Sequence, residues 1–341
     1  MADELFTIGA AFGVQSAFGT VNATVRDLAG AIGVTDGIVL GDRESGDAES
    51  GITIPDLERV FREVADVGLT KQHSTRIRDA INGFAIAFQL KGNGSASTPL
   101  AGEGKPDAGI DALLQAAGLV GANGTAPVYA YTPGSTAVYL TAKLWLGDLS
   151  FVFQDCLADL EIPFTGGEIG VASAAIAAGS ITVAADGVTF PTFTYGNQSS
   201  LSAPNVEAVG HAWGTTRPFS DLTLSIANAI EDIPDSNAAT GIRKDQTGRI
   251  ITATGTIWVD TADSDFAYQE AIKTVAPTAE ESFQVGTIAG PAATLNAYLV
   301  SLSNPGTHRV KYDRLGGQLV ATVELRAEDP VAGGEFTLTY N

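Results

Sequence analysis

The sequence predicts a mainly β protein, a β-sandwich or barrel flanked by short helices. Glycine is abundant (39 of 341 residues) and strongly periodic helical segments are few, a combination that favours antiparallel strands joined by many turns. The clearest strand alternates Ile251, Ala253, Ile257 and Val259 on one face with Thr252, Thr254, Thr256 and Asp260 on the other. Because successive side chains of a strand point to opposite faces, we expect one face of this strand to be dry and the other wet.

The same order of elements occurs twice along the chain. A strand over 83–91 leads to a helix over 107–118, and the strand over 251–260 leads to a helix capped by Asp263 or Ser264, with Phe266, Ile272 and Val275 on its apolar side. A strand hairpin follows each helix, at 151–171 and at 308–325. The copies are separated by roughly 160 to 170 residues, one ordinary domain length. This pattern predicts a duplication, with one domain over 1–204 and a second over 205–341.

The first predicted domain carries an N-terminal extension and the clearest amphipathic helix of the sequence. Within 55–67, Leu57, Val60, Phe61 and Val64 recur at helical spacing. This spacing predicts a helix that lies with its apolar side on a sheet. A locally basic stretch follows at 70–79, which either meets an acidic neighbouring surface or forms a solvated face.

The charge of the chain excludes a conventional DNA-binding protein. Asp and Glu number 39 against 19 Lys and Arg, which gives a net charge of -20. Adhesive contact with a phosphate backbone is therefore electrostatically opposed. A surface that lets nucleic acid pass without retaining it would be acidic for the same reason, although acidity that only confers solubility explains the charge equally well.

No motif in the sequence indicates catalysis, a cofactor or a metal. There is no Gly-x-Ser-x-Gly elbow, the three histidines lie far apart, and the glycine-rich loops lack the spacing of a phosphate-binding loop. Asp260, Asp263 and Asp265 lack the Gly and the distal Glu of a calcium loop, so helix capping explains them better. The single Cys156 excludes an intramolecular disulfide and a zinc site of several cysteines. We therefore predict no enzyme.

The ends and the hydropathy of the chain indicate no membrane segment. The N-terminus is acidic where a secretory signal would be basic, and no apolar run approaches the roughly 20 residues that span a bilayer. We expect a chain that is made and used in a cytosol, or assembled there before release.

Several segments together resemble a known family. In the first half these are the strand over 82–91, Pro99-Leu100, the helix over 110–119, Tyr131-Thr132-Pro133 and a hairpin ending near Gly167-Glu168; in the second half they are 222–228, 241–242 and 249–257. The arrangement resembles the major tail tube proteins of long-tailed, non-contractile bacteriophages (siphophages), over most of residues 80–341. The resemblance implies a β-sandwich or barrel subunit with a flanking helix, and a family without catalytic residues.

The same resemblance implies how the chain acts and with what. It implies a structural virion protein that assembles with itself into stacked rings, forming a hollow tube through which genomic DNA passes without specific binding. Tape measure, tail terminator and distal tail proteins are the further partners it implies, with assembly in the host cytoplasm and a final place in the virion tail. A duplicated chain would form homotrimeric, pseudo-hexameric rings, and a chain with one tube domain would form homohexameric rings.

The wet strand faces are the candidate lumen-facing residues of such a tube. They are Gln89, Lys91 and Glu168 from the first half, and Thr252, Thr254, Thr256, Asp260, Gln318, Thr322 and Glu324 from the second, with Asp155, Asp159 and Glu161 as further carboxylates. Two alternatives stay open. One is an extracellular-type β-sandwich that binds glycan or a receptor, such as a virion decoration or adhesin module; the other is an enzyme whose site a single sequence does not reveal.

Overall fold

The computed structural model describes most of the strands and helices of the chain. The described residues are 8–26, 57–65, 72–81, 83–89, 106, 108–123, 129–146, 149–165, 171–185, 206–208, 213, 219–238, 242–260, 264–275, 277, 280–285, 298–303, 305–328 and 336–340.

Strands dominate these residues, which confirms the predicted mainly β class. The strands are β1 (Ile8–Val14), β2 (Leu57–Ala65), β3 (Gln72–Ile81), β4 (Phe84–Gln89), β5 (Leu119–Asn123), β6 (Tyr129–Pro133), β7 (Leu140–Leu146), β8 (Leu149–Thr165), β9 (Val171–Ala177), β10 (Ser180–Ala185), β11 (Val206–Ala208), β12 (Phe219–Pro234), β13 (Ile242–Trp258), β14 (Glu281–Val285), β15 (Tyr298–Leu302), β16 (Gly306–Leu315), β17 (Gln318–Arg326) and β18 (Phe336–Tyr340). The helices are α1 (Ala23–Arg26), α2 (Ala108–Ala116) and α3 (Ser264–Ile272).

The strands form a ten-stranded sheet, a six-stranded sheet and a two-stranded hairpin, all antiparallel. The hairpin is β2–β3, and the six-stranded sheet has the order β11-β14-β15-β18-β6-β5. Within the ten-stranded sheet, seven strands follow one another in the order β4-β9-β8-β12-β13-β17-β16. We call these seven strands the large branch.

Strand β8 connects the large branch to the remaining strands of its sheet. Its first part pairs with β7 and β10, and its second part, from Leu157 onward, pairs with β9 and β12. Between the two parts Asp155 has a φ of 56°, a left-handed conformation that a non-glycine residue adopts only where the surroundings hold it. The backbone therefore changes direction at Asp155.

One face of the large branch is buried and the other is polar. Along β13, Ile251, Ala253 and Ile257 are each at most 3% exposed, whereas the threonines between them are partly exposed. The buried face belongs to a core that also takes in α2 and the six-stranded sheet. The predicted dry and wet faces of this strand are thus confirmed, because one face packs on that core.

The strand pairing of the first half is repeated in the second. Strands β1-β7-β8-β10 pair in the same pattern as β11-β14-β15-β18, and β4-β9-β8 pair in the same pattern as β13-β17-β16. The β8–β9 ladder begins at Leu157–Ala177 and the β16–β17 ladder begins at Gly306–Arg326, and the second ladder has a register shift between Thr307 and Arg309 that the first lacks. In both halves a nine-residue helix follows the strand that pairs with the second strand of this hairpin.

The two halves nevertheless share their sheets. Strand β8 pairs with β12 from Thr165–Asp221 to Leu160–Ile226, and β6 pairs with β18 near the end of the chain. One hydrophobic cluster includes residues of both halves. The predicted boundary near Pro204 lies outside the described residues, so the division into 1–204 and 205–341 stays a prediction.

The predicted helix over 55–67 is wrong, because residues 57–65 form strand β2. This strand pairs antiparallel with β3, from Leu57–Ile81 to Ala65–Gln72. Its apolar residues are few and include the β-branched Val60 and Val64, which fit a strand at least as well as a helix. The hairpin partner β3 satisfies the backbone hydrogen bonds that a helix would otherwise have made internally.

The second predicted helix is confirmed as α3, although its apolar side is narrower than expected. Ile272 is buried, but Val275 follows the helix and is 65% exposed. The predicted helix over 107–118 is confirmed as α2. Among the helices of the described residues, none is long and apolar enough to cross a membrane.

Candidate functional site: the polar face of the large branch

The polar face of the large branch is built from rows of side chains that the strand register brings together. Residues directly opposite each other in an antiparallel ladder lie on the same face. The three rows are Ser173, Glu161, Ser225, Thr252 and Arg326; then Pro163, Thr223, Thr254, Glu324 and Arg309; then Thr165, Asp221, Thr256, Thr322 and Lys311. The middle of this face is therefore formed by hydroxyl-bearing side chains.

Hydrogen bonds and ion pairs connect neighbouring strands on this face. The Oγ1 atoms of Thr256 and Thr322 lie 3.2 Å apart, and the exposed His308 places its Nε2 3.7 Å from Oε1 of Glu324. At the far end, Nζ of Lys311 donates to Asp313 at 3.0 Å. Such exposed pairs contribute little to stability, so their main effect is on the charge pattern of the surface.

The charges of the polar face are distributed unevenly. On β8 the face carries Asp159 and the exposed Glu161, whereas on β16 it carries Arg309 and Lys311, both exposed. Partial burial raises the pKa of Asp159, and the hydrogen bond that its carboxylate accepts from the backbone N–H of Asn228 opposes that shift. The β8 side of the face is thus acidic, whereas β16 carries two cations and one carboxylate, Asp313, which accepts from Lys311.

Five of the predicted lumen residues lie together on this face. They are Thr252, Thr254, Thr256, Thr322 and Glu324, which the β13–β17 register places side by side. Asp260 and Gln318 are exposed at the end of the same strand pair, beyond the ladder that ends at Trp258–Val320. Lys91, Glu168 and the side chain of Gln89 lie outside the described residues. Gln89 is the last residue of β4.

Asp155 was expected to join this face and does not. It is buried at the bend of β8, and its Oδ1 accepts a hydrogen bond from the backbone N–H of Gly19 at 2.7 Å. Burial raises the pKa of its carboxyl, which the Gly19 hydrogen bond partly offsets. This carboxylate therefore fixes the N-terminal segment to the bend and does not contribute to the polar face.

Small side chains on the first half of the face gave no signal in the sequence. Ala85 and Ala87 on β4 lie opposite Ala175 and Ser173 on β9, on the polar side of the alternation. Alanine carries no polar group, so sequence alone does not distinguish an outward alanine from a core alanine. At these positions of β4 and β9 the face therefore carries only small side chains.

Asn228 on β12 connects the two halves on the buried side of the sheet. Its side-chain amide donates to the backbone carbonyls of Ala158 (2.7 Å) and Ala117 (3.1 Å), and its Oδ1 accepts from Nε2 of Gln246 at 2.6 Å. Nearby, Arg249 donates from Nη1 to the carbonyl of Gly118 at 2.7 Å. Buried polar groups that are fully hydrogen-bonded specify one arrangement of the elements they join.

The large branch ends at two strands that have a single partner each in the described part of the chain. Strand β4 pairs with β9, and β16 pairs with β17. Along β16 the side chains of Arg309, Lys311, Asp313, Arg314 and Leu315 are exposed. An edge strand presents unpaired N–H and C=O groups, so it is a template for pairing with another chain.

No protein-family model matches this sequence, and a search of curated proteins finds no match either. Among the described residues no group of three or more His, Cys, Asp or Glu side chains is placed to hold a metal ion. The arrangement that the described residues do offer is a broad polar sheet face bounded by two edge strands.

Proposed function

We propose that this chain is a tail tube protein, whose copies pair edge to edge into closed rings that stack into a hollow tube for DNA passage. The observation that carries the proposal is the large branch, a sheet with one dry face, one polar face and two edges. Closing such a sheet with its polar face inward produces a water-filled channel and removes both edges.

The strand register supports a closed, tilted wall. From Thr165 on β8, directly opposite residues lead across four strand-to-strand steps to Lys311 on β16. In the repeat, the residue of β16 that is equivalent to Thr165 is Leu315. The strands are therefore offset along their length by four residues over these four steps (315 − 311 = 4). Four residues of about 3.4 Å over four spacings of about 4.8 Å correspond to a tilt of about 35°. Closed β-barrels have strand tilts of about this size.

The repeat supports a ring of three chains. Strands β12, β13, β17 and β16 form one four-strand unit, and β4, β9 and β8 fill three positions of a second unit. Six such units make about 24 strands. At the tilt given above, 24 strands form a closed barrel with a diameter of about 45 Å between opposite backbones. Twice as many strands would enclose about 90 Å, far more than a DNA duplex requires.

The chemistry of the polar face supports passage without adhesion. Its described central residues are threonines and serines, and on β8 it carries carboxylates. Carboxylates repel phosphate, and uncharged hydroxyls release no condensed counterions on contact, so the usual source of phosphate affinity is lacking there. Arg309 on β16 lies opposite Glu324, and Lys311 donates to Asp313, so carboxylates neighbour both cations on this strand.

Electron microscopy of the purified protein tests this proposal. We expect rings or tubes with a central channel to appear as the protein concentration rises, because edge pairing is a bimolecular step. A protein that stays a compact monomer at high concentration contradicts the proposal and favours the alternative of an isolated β-sandwich binding module.

A further inference from the structure

The β2–β3 hairpin corresponds to the distal part of the β12–β13 hairpin in the repeat. Both hairpins have a shift of register, between Val60 and Phe61 in one and between Ala229 and Ile230 in the other. The shift lies five residues before the end of the first strand in both cases (65 − 60 = 5 and 234 − 229 = 5). A β-bulge at the same place in two hairpins is a shared structural feature, since bulges set the bend and twist of the strands.

The distal part of β12–β13 occupies a socket on the first half of its own chain. The socket consists of the C-terminal end of α2 and the middle of β8, whose backbone carbonyls accept hydrogen bonds from Arg249 and Asn228 as described above. Gln246 donates to Asn228 within the hairpin. Farther out, Tyr139 donates from its hydroxyl to the carbonyl of Lys244 at 3.1 Å. The guanidinium of Arg243 lies over the ring of Phe18 at 5.3 Å.

The second half carries the equivalent socket without a hairpin in it. Helices α2 and α3 have equal length and the same C-terminal hydrogen bond, from Gly118 N to Gln115 O (2.9 Å) and from Thr274 N to Ala271 O (3.1 Å). The next residue differs in environment: Leu119 is fully buried, whereas its counterpart Val275 is 65% exposed. We call the surface formed by the end of α3 and by β16 the open socket.

Strand β16 shows the same difference from its counterpart β8. Leu160 and Ile162 of β8 are at most 3% exposed, and the equivalent residues of β16, Val310 and Tyr312, are only partly buried. On β8 these positions lie beside β12, which pairs with them. Among the described residues, no strand covers the open socket as β12 covers the equivalent socket in the first half.

We propose that the β2–β3 hairpin of one copy occupies the open socket of the next copy, an assignment that rests on the proposed ring assembly. In the first half, Leu160 of β8 lies opposite Ile226 of β12. The equivalent positions are Val310 of β16 and Leu57 of β2, so the two strands pair antiparallel with Val310 opposite Leu57. Among the described residues, the hairpin pairs with no strand outside itself.

One arginine of the hairpin holds a position that lies beside a helix end in the first half. Strands β2 and β3 contain four arginines and three carboxylates, in a chain whose net charge is -20. Arg76 holds the register position of Gln246, since each is the last paired residue before the bulge. The side chain of Gln246 lies beside the C-terminal end of α2. A cation at the corresponding place on α3 is favoured by the carbonyls and the negative dipole end of the helix.

Cross-linking of assembled protein tests the docking and its register. Burial raises the pKa of the Cys156 thiol, so the unmodified chain is an unreactive background for added cysteines. We expect the double variant Leu57→Cys/Val310→Cys, treated with a short bifunctional maleimide, to give covalent multimers up to the size of the ring. The pair Leu57→Cys/Leu315→Cys is the matched control, because Leu315 lies five residues along β16, about 17 Å from Val310.

A second variant tests the open socket without a cross-linking reagent. Val275→Arg should keep the unfolding midpoint of the isolated chain, since the residue is exposed there, and should prevent ring formation. Val120→Arg, at another exposed valine (49% exposed), should assemble normally.

The outcomes separate this inference from the proposed function. Rings that form but give no cross-link between positions 57 and 310, a product of single-chain mass, or normal assembly of Val275→Arg would each overturn the docking while the tube survives. A wild-type chain that forms neither rings nor tubes overturns both.

Discussion

At the scale of single residues, a buried carboxylate and a tyrosine fix α2 against the six-stranded sheet. The hydroxyl of Tyr131 donates to Oδ1 of Asp111 at 2.6 Å, and both side chains are buried. Burial is the main cause that raises the pKa of Tyr131, and the neighbouring Asp111 carboxylate raises it further. The phenol therefore remains a hydrogen-bond donor over the whole physiological range of pH.

The variant Tyr131→Phe should be less stable by about 1–3 kcal/mol, because it leaves the buried Asp111 carboxylate with one fewer hydrogen-bond donor. Urea unfolding of the isolated chain measures the change. The double variant Tyr131→Phe/Asp111→Leu is the control: removing both partners should recover much of the loss. Equal stability of Tyr131→Phe and the wild type would contradict this role.

Residues with distant partners were the ones that the sequence did not reveal. The backbone carbonyls that accept from the side-chain amide of Asn228 lie 70 and 111 positions earlier in the chain, so no local pattern marks it. The bend at Asp155 depends likewise on Gly19, at a separation of 136 residues. The threonines of β13 were predicted because their signal, alternation within one strand, is local.

At the scale of elements, the centre of the large branch depends on one glycine. Gly255 lies on the dry face of β13, where a Cβ atom would overlap the ring of Trp213 and come within 2.5 Å of Cδ2 of Leu222. The indole of Trp213 is fully buried and donates from Nε1 to the carbonyl of Val323 at 3.3 Å. The absence of a side chain at Gly255 thus lets an indole pack across β13 and β17.

The variant Gly255→Ala should destabilise the chain by about 1–3 kcal/mol, because Trp213 must move within a packed core. Thermal unfolding followed by tryptophan fluorescence reports both the stability and the environment of the indole. Gly248→Ala, on the same strand, is the matched control, since its nearest contact would be an ordinary 3.7 Å to Cβ of Ala229. Similar behaviour of the two variants would show that packing against Trp213 does not decide the outcome.

Elements with strong local signals were predicted, and one with an ambiguous signal was not. Helices α2 and α3 were both predicted from the sequence, within a few residues of their ends. Strand β2 carries apolar residues at spacings that suit either a helix or a strand, and only pairing with β3 decides between them.

At the scale of the whole molecule, the number of chains in the proposed ring follows from the repeated strand pairing. We expect three, because each chain supplies two units and a wall of six units has the tilt and width derived above. Native mass spectrometry of an isolated ring, or the rotational symmetry of tube images, measures the number. Six chains in a ring would contradict the equivalence of the two units and leave the tube function standing.

The repeat has a further consequence, because equivalent strands of the two halves run in the same direction. The turn at Gly316-Gly317 lies beside the end of β13 at Trp258, and the β12–β13 turn lies at the opposite end, beyond Ile242. A ring built by repeating this unit has two chemically different rims, so rings stack head to tail and the column has a front and a back. Growth is then vectorial: the rim that receives the next ring is always of one kind, and a protein that caps one end of the finished column has no binding surface at the other.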